Sequence, residues 1–258
     1  MPEGDTIARA AARMRPVLEG TVPDSIEAPQ RRHSRDRWPE RLAGRRIESI
    51  RTHGKHLFLD FEGGLTLHSH LRMTGAWSVG PEGSRRRRPR RRAWLVLRAG
   101  GQEVIEFDGP VLELMTTGRS RSDRRLASLG PDVLADEFDF DRFIRRLRED
   151  DPTRGFGDAL LDQATIAGIG NIWKAETCWG AGISPWRPVG EVADAEARRA
   201  IELVRPRMMA SAAGSEDRDG RGAYGLGGRP CRRCATRVEV RGQGDDNRLT
   251  WWCPGCQT

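Results

Sequence analysis

Lysine is almost absent from this chain. Only Lys55 and Lys174 stand among 44 Lys and Arg residues. The formal net charge of +7 points to a polyanionic partner held through phosphate contacts and counterion release. An arginine skew can also come from a GC-rich genome, so charge alone does not establish nucleic-acid binding. Against that bias, each remaining lysine is a candidate for amine chemistry. Long apolar runs are missing as well. No segment is long enough to span a bilayer as a helix. Arg9, Arg13 and Arg15 interrupt the stretch where a signal peptide would need an apolar core. The expectation is a cytoplasmic, nucleoid-associated protein with no membrane partner. Cysteine is sparse, at Cys178, Cys231, Cys234, Cys253 and Cys256. An odd count with two C-x-x-C pairs argues against a disulfide scaffold.

The 258 residues fit one large domain or two to three small ones. Residues 5–18 carry Ile7, Ala8, Ala11, Ala12, Met14 and Leu18 at helical spacing, and Gly20 stops the pattern. From Ile26 to about Leu114 the pattern is mostly short strands. The clearest are 47–50, 57–61, 65–68, 94–97 and 103–107, with Gly63-Gly64 and Gly100-Gly101 as hairpin turns. Residues 84–92 hold seven Arg around one Pro and read as a loop, either unstructured or a DNA contact. Residues 119–135 read as a hinge. Helical periodicity then takes over around 140–147, 159–163, 175–179 and 195–209. Residues 214–228 are Gly-rich and read as flexible. These features predict an α+β chain. An N-terminal β-sandwich with a leading helix covers 1–118, the hinge 119–135, a helical domain 136–213 and a zinc finger 214–258.

Cys231-x-x-Cys234, 18 intervening residues and Cys253-x-x-Cys256 form the strongest single motif. Four thiolates so spaced make a closed tetrahedral site for one structural Zn2+, with no position open for water. Such a site would hold a small hairpin, Arg248 included, that could not fold alone. At the other end, removal of the initiator Met would leave a secondary amine on Pro2 beside the Glu3 carboxylate. A secondary amine attacks an aldehyde or a sugar C1′ to give a cationic iminium. Gly168-Ile169-Gly170-Asn171, after Leu160-Leu161-Asp162-Gln163, reads either as an ordinary helix–helix turn or as backbone N–H groups offered to a phosphate. Lys55 in His53-Gly54-Lys55-His56 is a phosphate contact, a proton shuttle or a solvated lysine. His68 and His70 read as structural histidines, and Met73, by itself, as a core methionine.

Taken in order, these motifs resemble the formamidopyrimidine-DNA glycosylase and endonuclease VIII family of base-excision repair enzymes, over essentially the whole chain. The opening Pro-Glu-Gly-Asp-Thr is more similar to the endonuclease VIII branch. The resemblance implies a β-sandwich domain, a helix-two-turn-helix domain with a zinc-ribbon finger, and damaged double-stranded DNA bound in the cleft between them by a monomer. It implies Pro2 as nucleophile, Glu3 as its acidic partner and proton donor, Lys55 as the catalytic lysine, Asn171 as a phosphate ligand and Arg248 as the finger arginine. The implied activity is a bifunctional glycosylase and abasic-site lyase. A Pro2 Schiff base forms after base loss, and β,δ-elimination follows.

Four departures bear on the substrate. Met73 falls where both branches place an intercalating residue, whereas Arg72 stands where endonuclease VIII typically has Gln. The Arg-Phe pair that the formamidopyrimidine branch uses to read the opposite strand is absent from Asp108-Gly109-Pro110-Val111-Leu112. Ser128 replaces an expected DNA-contacting Arg, with Arg124 and Arg125 nearby. No lesion-capping loop stands out between Gly182 and Gly228. Oxidised pyrimidines are the expected substrates. The alternatives are an oxidised-purine glycosylase of the sister branch, a non-catalytic lesion-binding paralogue, and an unrelated zinc-ribbon transcription or RNA-binding factor.

Overall fold

The computed structural model of the chain describes residues 2–149, 151–215 and 220–258. Two compact units emerge. The first comprises Met1–Pro2 and Thr6–Ala127, the second Glu3–Asp5 and Ser128–Thr258.

The first unit takes most of helix α1 (Gly4–Leu18). There follow β1 (Ser25–Glu27), two short helices α2 (Arg31–Arg35) and α3 (Trp38–Leu42), and strands β2 (Ile47–His53), β3 (His56–Phe61), β4 (Leu65–His70), β5 (Ala76–Pro81), β6 (Ala93–Ala99), β7 (Gln102–Phe107) and β8 (Val111–Thr116). Helices α4 (Thr117–Ser122) and α5 (Arg124–Ala127) close it. The strands form two antiparallel sheets, ordered β1-β6-β7-β5 and β2-β3-β4-β8. Both glycine pairs turn hairpins with positive φ, Gly63-Gly64 at 79° and 74° and Gly100-Gly101 at 55° and 72°. Two successive left-handed residues suit the twist of a tight hairpin, and glycine reaches them without strain.

One core fills the sandwich. Ile7, Ala11, Met14 and Leu18 of α1 pack with Leu57, Leu59, Phe61 and Leu67 of one sheet and Leu95, Leu97 and Val104 of the other. The period-2 alternation of β3 and β7 sends every second side chain inward. On the opposite face of the β6–β7 pair, Ala93, Val96, Ile105 and Phe107 form a smaller cluster.

The second unit contains α6 (Phe140–Glu149), α7 (Phe156–Leu161), α8 (Asn171–Ala181), α9 (Asp194–Ala212) and the hairpin β9 (Glu239–Gln243)–β10 (Arg248–Trp252). Its core unites Phe143, Leu147, Phe156, Leu160, Ile169, Ile201, Val204 and Met208. No described helix is long and apolar enough to cross a membrane.

Several expectations need adjusting. Within the expected hinge 119–135, residues 119–122 and 124–127 are helical and group with the first unit. The Gly-rich stretch is anchored where it is described. The amides of Gly222, Ala223 and Tyr224 donate to the buried Glu176 carboxylate at 2.9–3.0 Å. Residues 216–219 of that stretch lie outside the described residues.

Candidate active site and metal centre

In the first unit, strand directions collect three sequence candidates at one end of the β2-β3-β4-β8 sheet. His53 pairs with His56 across the two-residue turn Gly54-Lys55, which puts Lys55 at the tip between β2 and β3. His56 pairs with His70, and His70 with Val111, so the turn after β4 and the loop before β8 leave from the same end. The turn after β4 carries Arg72 and Met73. Arg72 takes φ 46°, and its amide donates to His70 Nδ1 at 3.2 Å. Met73 is 68% exposed, which corrects the core-methionine reading. A large apolar side chain held in water on a tight turn is suited to insertion between bases.

His68 and His70, read as structural, lie beside this turn together with His56. Burial above all, then the neighbouring charges of Arg72, His68 and Lys55, pushes His70 down to about 4. Burial and the surrounding His70, His68 and His53 push His56 down to about 2. His56 and His68 share a 2.8 Å hydrogen bond between ring nitrogens. All are neutral at physiological pH.

The arginine run is not an unstructured loop. It lies over the outer face of β7, where Arg86, Arg88, Pro89 and Arg90 join Ile105 and Phe107 in lining one cleft. Arg88 Nη1 donates to Thr74 O at 2.6 Å and to Asp108 Oδ2 at 2.8 Å, and Arg92 Nε donates to Asp108 Oδ1 at 2.8 Å. The run therefore ties the Met73 turn to the loop before β8. Sequence reasoning missed a further residue here. Glu106, inside the sandwich, accepts from Ser69 Oγ at 2.6 Å, while its Oε2 is buried with no hydrogen-bond partner among the described residues. Burial pushes its carboxyl up to about 8. A Cβ on Gly109 would lie 2.2 Å from Glu106 Oε1, so a larger residue there would have to displace the buried carboxyl.

Arg124 and Arg125, proposed substitutes for the missing arginine at Ser128, sit on α5. Arg125 already pairs with Asp123 at 2.7 Å and Glu113 at 3.1 Å.

In the second unit, Glu3 is 2% exposed and occupies the N-terminus of α8. Its Oε2 accepts from Gly170 N at 3.1 Å and Trp173 N at 3.2 Å, and its Oε1 from Ile172 N at 2.8 Å. Of the 168–171 amides that the sequence offered to a phosphate, that of Gly170 is thus taken by a carboxylate of the same chain, and that of Gly168 by Gln163. The helix dipole and unpaired N–H groups favour an anion there. A Cβ on Gly170 would lie 2.3 Å from the Glu3 Cδ, so glycine is what lets the carboxylate seat. Gln163 shapes the approach. Its Nε2 donates to Leu161 O and Ile169 O, and its Oε1 accepts from Gly168 N.

Asn171 and Arg248 are joined through the finger. Asn171 Nδ2 donates to Leu249 O at 2.9 Å, while its Oδ1 is buried with no hydrogen-bond partner among the described residues. Arg248 is held by Asp246, at 2.9 and 3.2 Å to one carboxylate oxygen. Beneath them lies Lys174, which sequence reasoning marked only as a retained lysine. It is fully buried and donates to Thr250 Oγ1. Burial lowers it to about 8 against the opposing pull of Cys178 and Asp158. Thr250 passes the chain of bonds to Gln243, whose Nε2 donates to Pro185 O at 2.6 Å.

The sulfur atoms of Cys231, Cys234, Cys253 and Cys256 all lie within 4.8 Å of one another and could hold a metal ion. The Cys231–Cys256 separation of 3.8 Å matches the edge of a tetrahedron with metal–sulfur bonds of about 2.3 Å. Burial works against ionisation of Cys231. Even so, hydrogen bonds from Trp179 Nε1 and from the Arg233 and Cys234 amides pull it down to about 6, toward the thiolate a metal needs. Cys178 lies apart, and complete burial pushes its thiol up to about 12, an inert structural group.

A β-sandwich bearing a surface wedge, a helical unit seating an N-terminal carboxylate and a four-cysteine hairpin together define a DNA-glycosylase architecture. The formamidopyrimidine-DNA glycosylase N-terminal domain matches residues 1–127, and the formamidopyrimidine-DNA glycosylase H2TH domain matches residues 129–216. The whole chain aligns at 39% identity with 94% of a probable endonuclease 8 2 of Streptomyces coelicolor. It aligns at 35% identity with 99% of a DNA-(apurinic or apyrimidinic site) lyase of Mycolicibacterium smegmatis. The fold matches, over all of both chains, a Lactococcus lactis Fpg solved in complex with an N7-benzyl-Fapy-dG-containing DNA (TM-score 0.85, 24% identity). The chain belongs to the formamidopyrimidine-DNA glycosylase family.

Proposed function

We propose that this protein is a bifunctional DNA glycosylase and abasic-site lyase of base-excision repair, acting on oxidised pyrimidines in duplex DNA. The observation that carries the reading is the seat of Glu3. Its carboxylate is fixed by three backbone donors, one residue from the Pro2 nitrogen. The names of the relatives supply the reaction class, and the site supplies the chemistry.

The damaged nucleotide leaves the stack before reaction, and Met73 fills the gap with Arg72 beside it. Pro2 nitrogen attacks C1′, the N-glycosidic bond breaks, and the base departs with a proton. The sugar ring opens to an iminium between Pro2 and C1′. Glu3, fixed by three N–H donors, stands as the acidic partner beside that cation, the role the resemblance implies. The iminium acidifies C2′. Loss of that proton expels the 3′ phosphate, and a second elimination expels the 5′ phosphate. Lys55 and Arg248 neutralise the flanking phosphates, with Asn171 as a further phosphate ligand. The four cysteines hold a structural zinc ion. The Asp108 loop lacks an Arg-Phe pair and is pinned by Arg88 and Arg92, which favours pyrimidine over purine lesions.

Borohydride trapping of the untagged protein tests this. Duplexes carry thymine glycol, dihydrouracil, 8-oxoguanine or an abasic site. A covalent adduct mapping to Pro2, strongest on the pyrimidine lesions, is expected. Absence of any adduct despite duplex binding overturns the enzyme reading, and best trapping on 8-oxoguanine overturns the substrate.

A further inference from the structure

The arginine run is two-faced. Arg86, Arg88, Arg90 and Arg92 turn toward acids of the same unit, with Arg90 and Arg92 still about half exposed. Arg86 and Arg90 reach Glu103, Arg90 also reaches Glu27, and Arg88 and Arg92 share Asp108. Arg98 adds bridges to Glu27, Glu82 and Glu103. The inward charges are therefore compensated within the fold. Arg85, Arg87 and Arg91 are exposed, and no ion pair joins them to an acid among the described residues. The inward set also fixes where the outward set stands. Through Arg88, the run is bonded to Thr74, the residue after Met73.

We propose that Arg85, Arg87 and Arg91 form a phosphate-binding stripe that extends the duplex contact beyond the Met73 turn, while the inward arginines act as its scaffold. This rests on the DNA-repair reading above. The physical case is that a run of like charge costs stability unless each charge finds a partner. Here the alternate arginines have partners in the fold, and the remaining three have a polyanion as their natural counter-charge. Guanidinium groups suit this role, since they bind phosphate oxygens through paired donors. Phosphate contacts of this kind carry no sequence information, so the stripe contributes affinity and register rather than lesion choice.

The salt dependence of binding reads the stripe directly. Each phosphate neutralised contributes about 0.9 to the slope of log affinity against log salt. Fluorescence anisotropy on an undamaged duplex would compare the wild type with Arg85→Ser, Arg87→Ser and Arg91→Ser combined. The slope should fall by about 2.7. Between roughly 50 and 200 mM salt, the wild type should then lose about forty-fold more affinity than the variant does. A control combining Arg31→Ser, Arg35→Ser and Arg41→Ser removes the same charge from exposed positions of the first unit. It should leave the slope where it was. An unchanged slope in the stripe variant overturns the proposal, as does an equal fall in the control, which would reduce the effect to net charge. Borohydride trapping by the wild type, run alongside, separates the two readings. Trapping with an unchanged slope sinks only the stripe, whereas no trapping sinks the enzyme assignment.

Discussion

Glu106 concentrates the physics of this fold into one side chain. It lies inside the sandwich, Ser69 is the one side-chain hydrogen-bond partner of its carboxyl among the described residues, and burial raises that carboxyl from 4.5 to about 8. Between those values the unfolded chain ionises and the folded chain does not. The stability that goes with the protonated form is therefore full below pH 4.5 and is lost as pH rises through about 8. Glu106→Gln keeps the shape and the acceptor for Ser69 but cannot ionise. It should stabilise the protein near neutral pH by on the order of 3 kcal/mol and have little effect near pH 4.5. Thermal midpoints of both proteins across that range provide the measurement, and a gap that does not change with pH would show that Glu106 is not the titrating group. Gly170 makes the same point sterically. Glycines in the 168–171 turn were legible in the sequence as a turn. That one of them makes room for Glu3, far away in the chain, was not, because the pairing exists only after the fold has closed.

Among the elements, the β9–β10 hairpin presents Arg248 already engaged. Asp246 holds the guanidinium that phosphate would need, so binding must exchange one anion for another. Asp246→Asn removes the competitor and leaves a polar side chain at the turn. It should tighten duplex binding several-fold at low salt, less at high salt as screening takes over. Weaker binding would mean that Asp246 orients Arg248 instead of competing for it. Elements also show where sequence patterning runs out. The five strands named from the sequence include all four internal strands, β3, β4, β6 and β7. The three left unnamed, β1, β5 and β8, are sheet edges. An edge strand is paired on one side only, tolerates Gly and Pro as in Gly80-Pro81, and carries a weaker alternation. The order within the arginine run escaped for the opposite reason. Its composition argues for disorder, and only the distant acids Glu27, Glu103 and Asp108 turn it into structure. The clustering of the four cysteines was legible, since they lie close in sequence in two C-x-x-C pairs and such a site depends on spacing.

Over the whole molecule, stability is divided among separate cores, and metal removal should expose that division. The first unit encloses its own large core, and the helical unit another. The hydrophobic cluster of the finger is small among the described residues: Cys231, Val238 and Cys253 are buried, with Trp179, Leu226, Trp251 and Cys256 packed around them. So small a cluster cannot offset the entropy of ordering a hairpin, and under the proposed zinc site metal–thiolate bonds supply the difference. Stripping the metal with a strong chelator should therefore melt the hairpin while leaving the β-sandwich cooperative. Two tryptophans of β10, Trp251 and Trp252, lie against Tyr224 and Trp186, so their fluorescence reports the loss locally. Melting of the hairpin also frees Leu249 O from Asn171 and Thr250 from Lys174, leaving a buried amine without its partner in α8. The expected result is a changed tryptophan signal and lost duplex binding, with the far-ultraviolet β signal and its thermal midpoint retained. Restored zinc should recover both losses. Loss of the whole fold on chelation would instead mean that the sandwich depends on the finger, which its own closed core argues against.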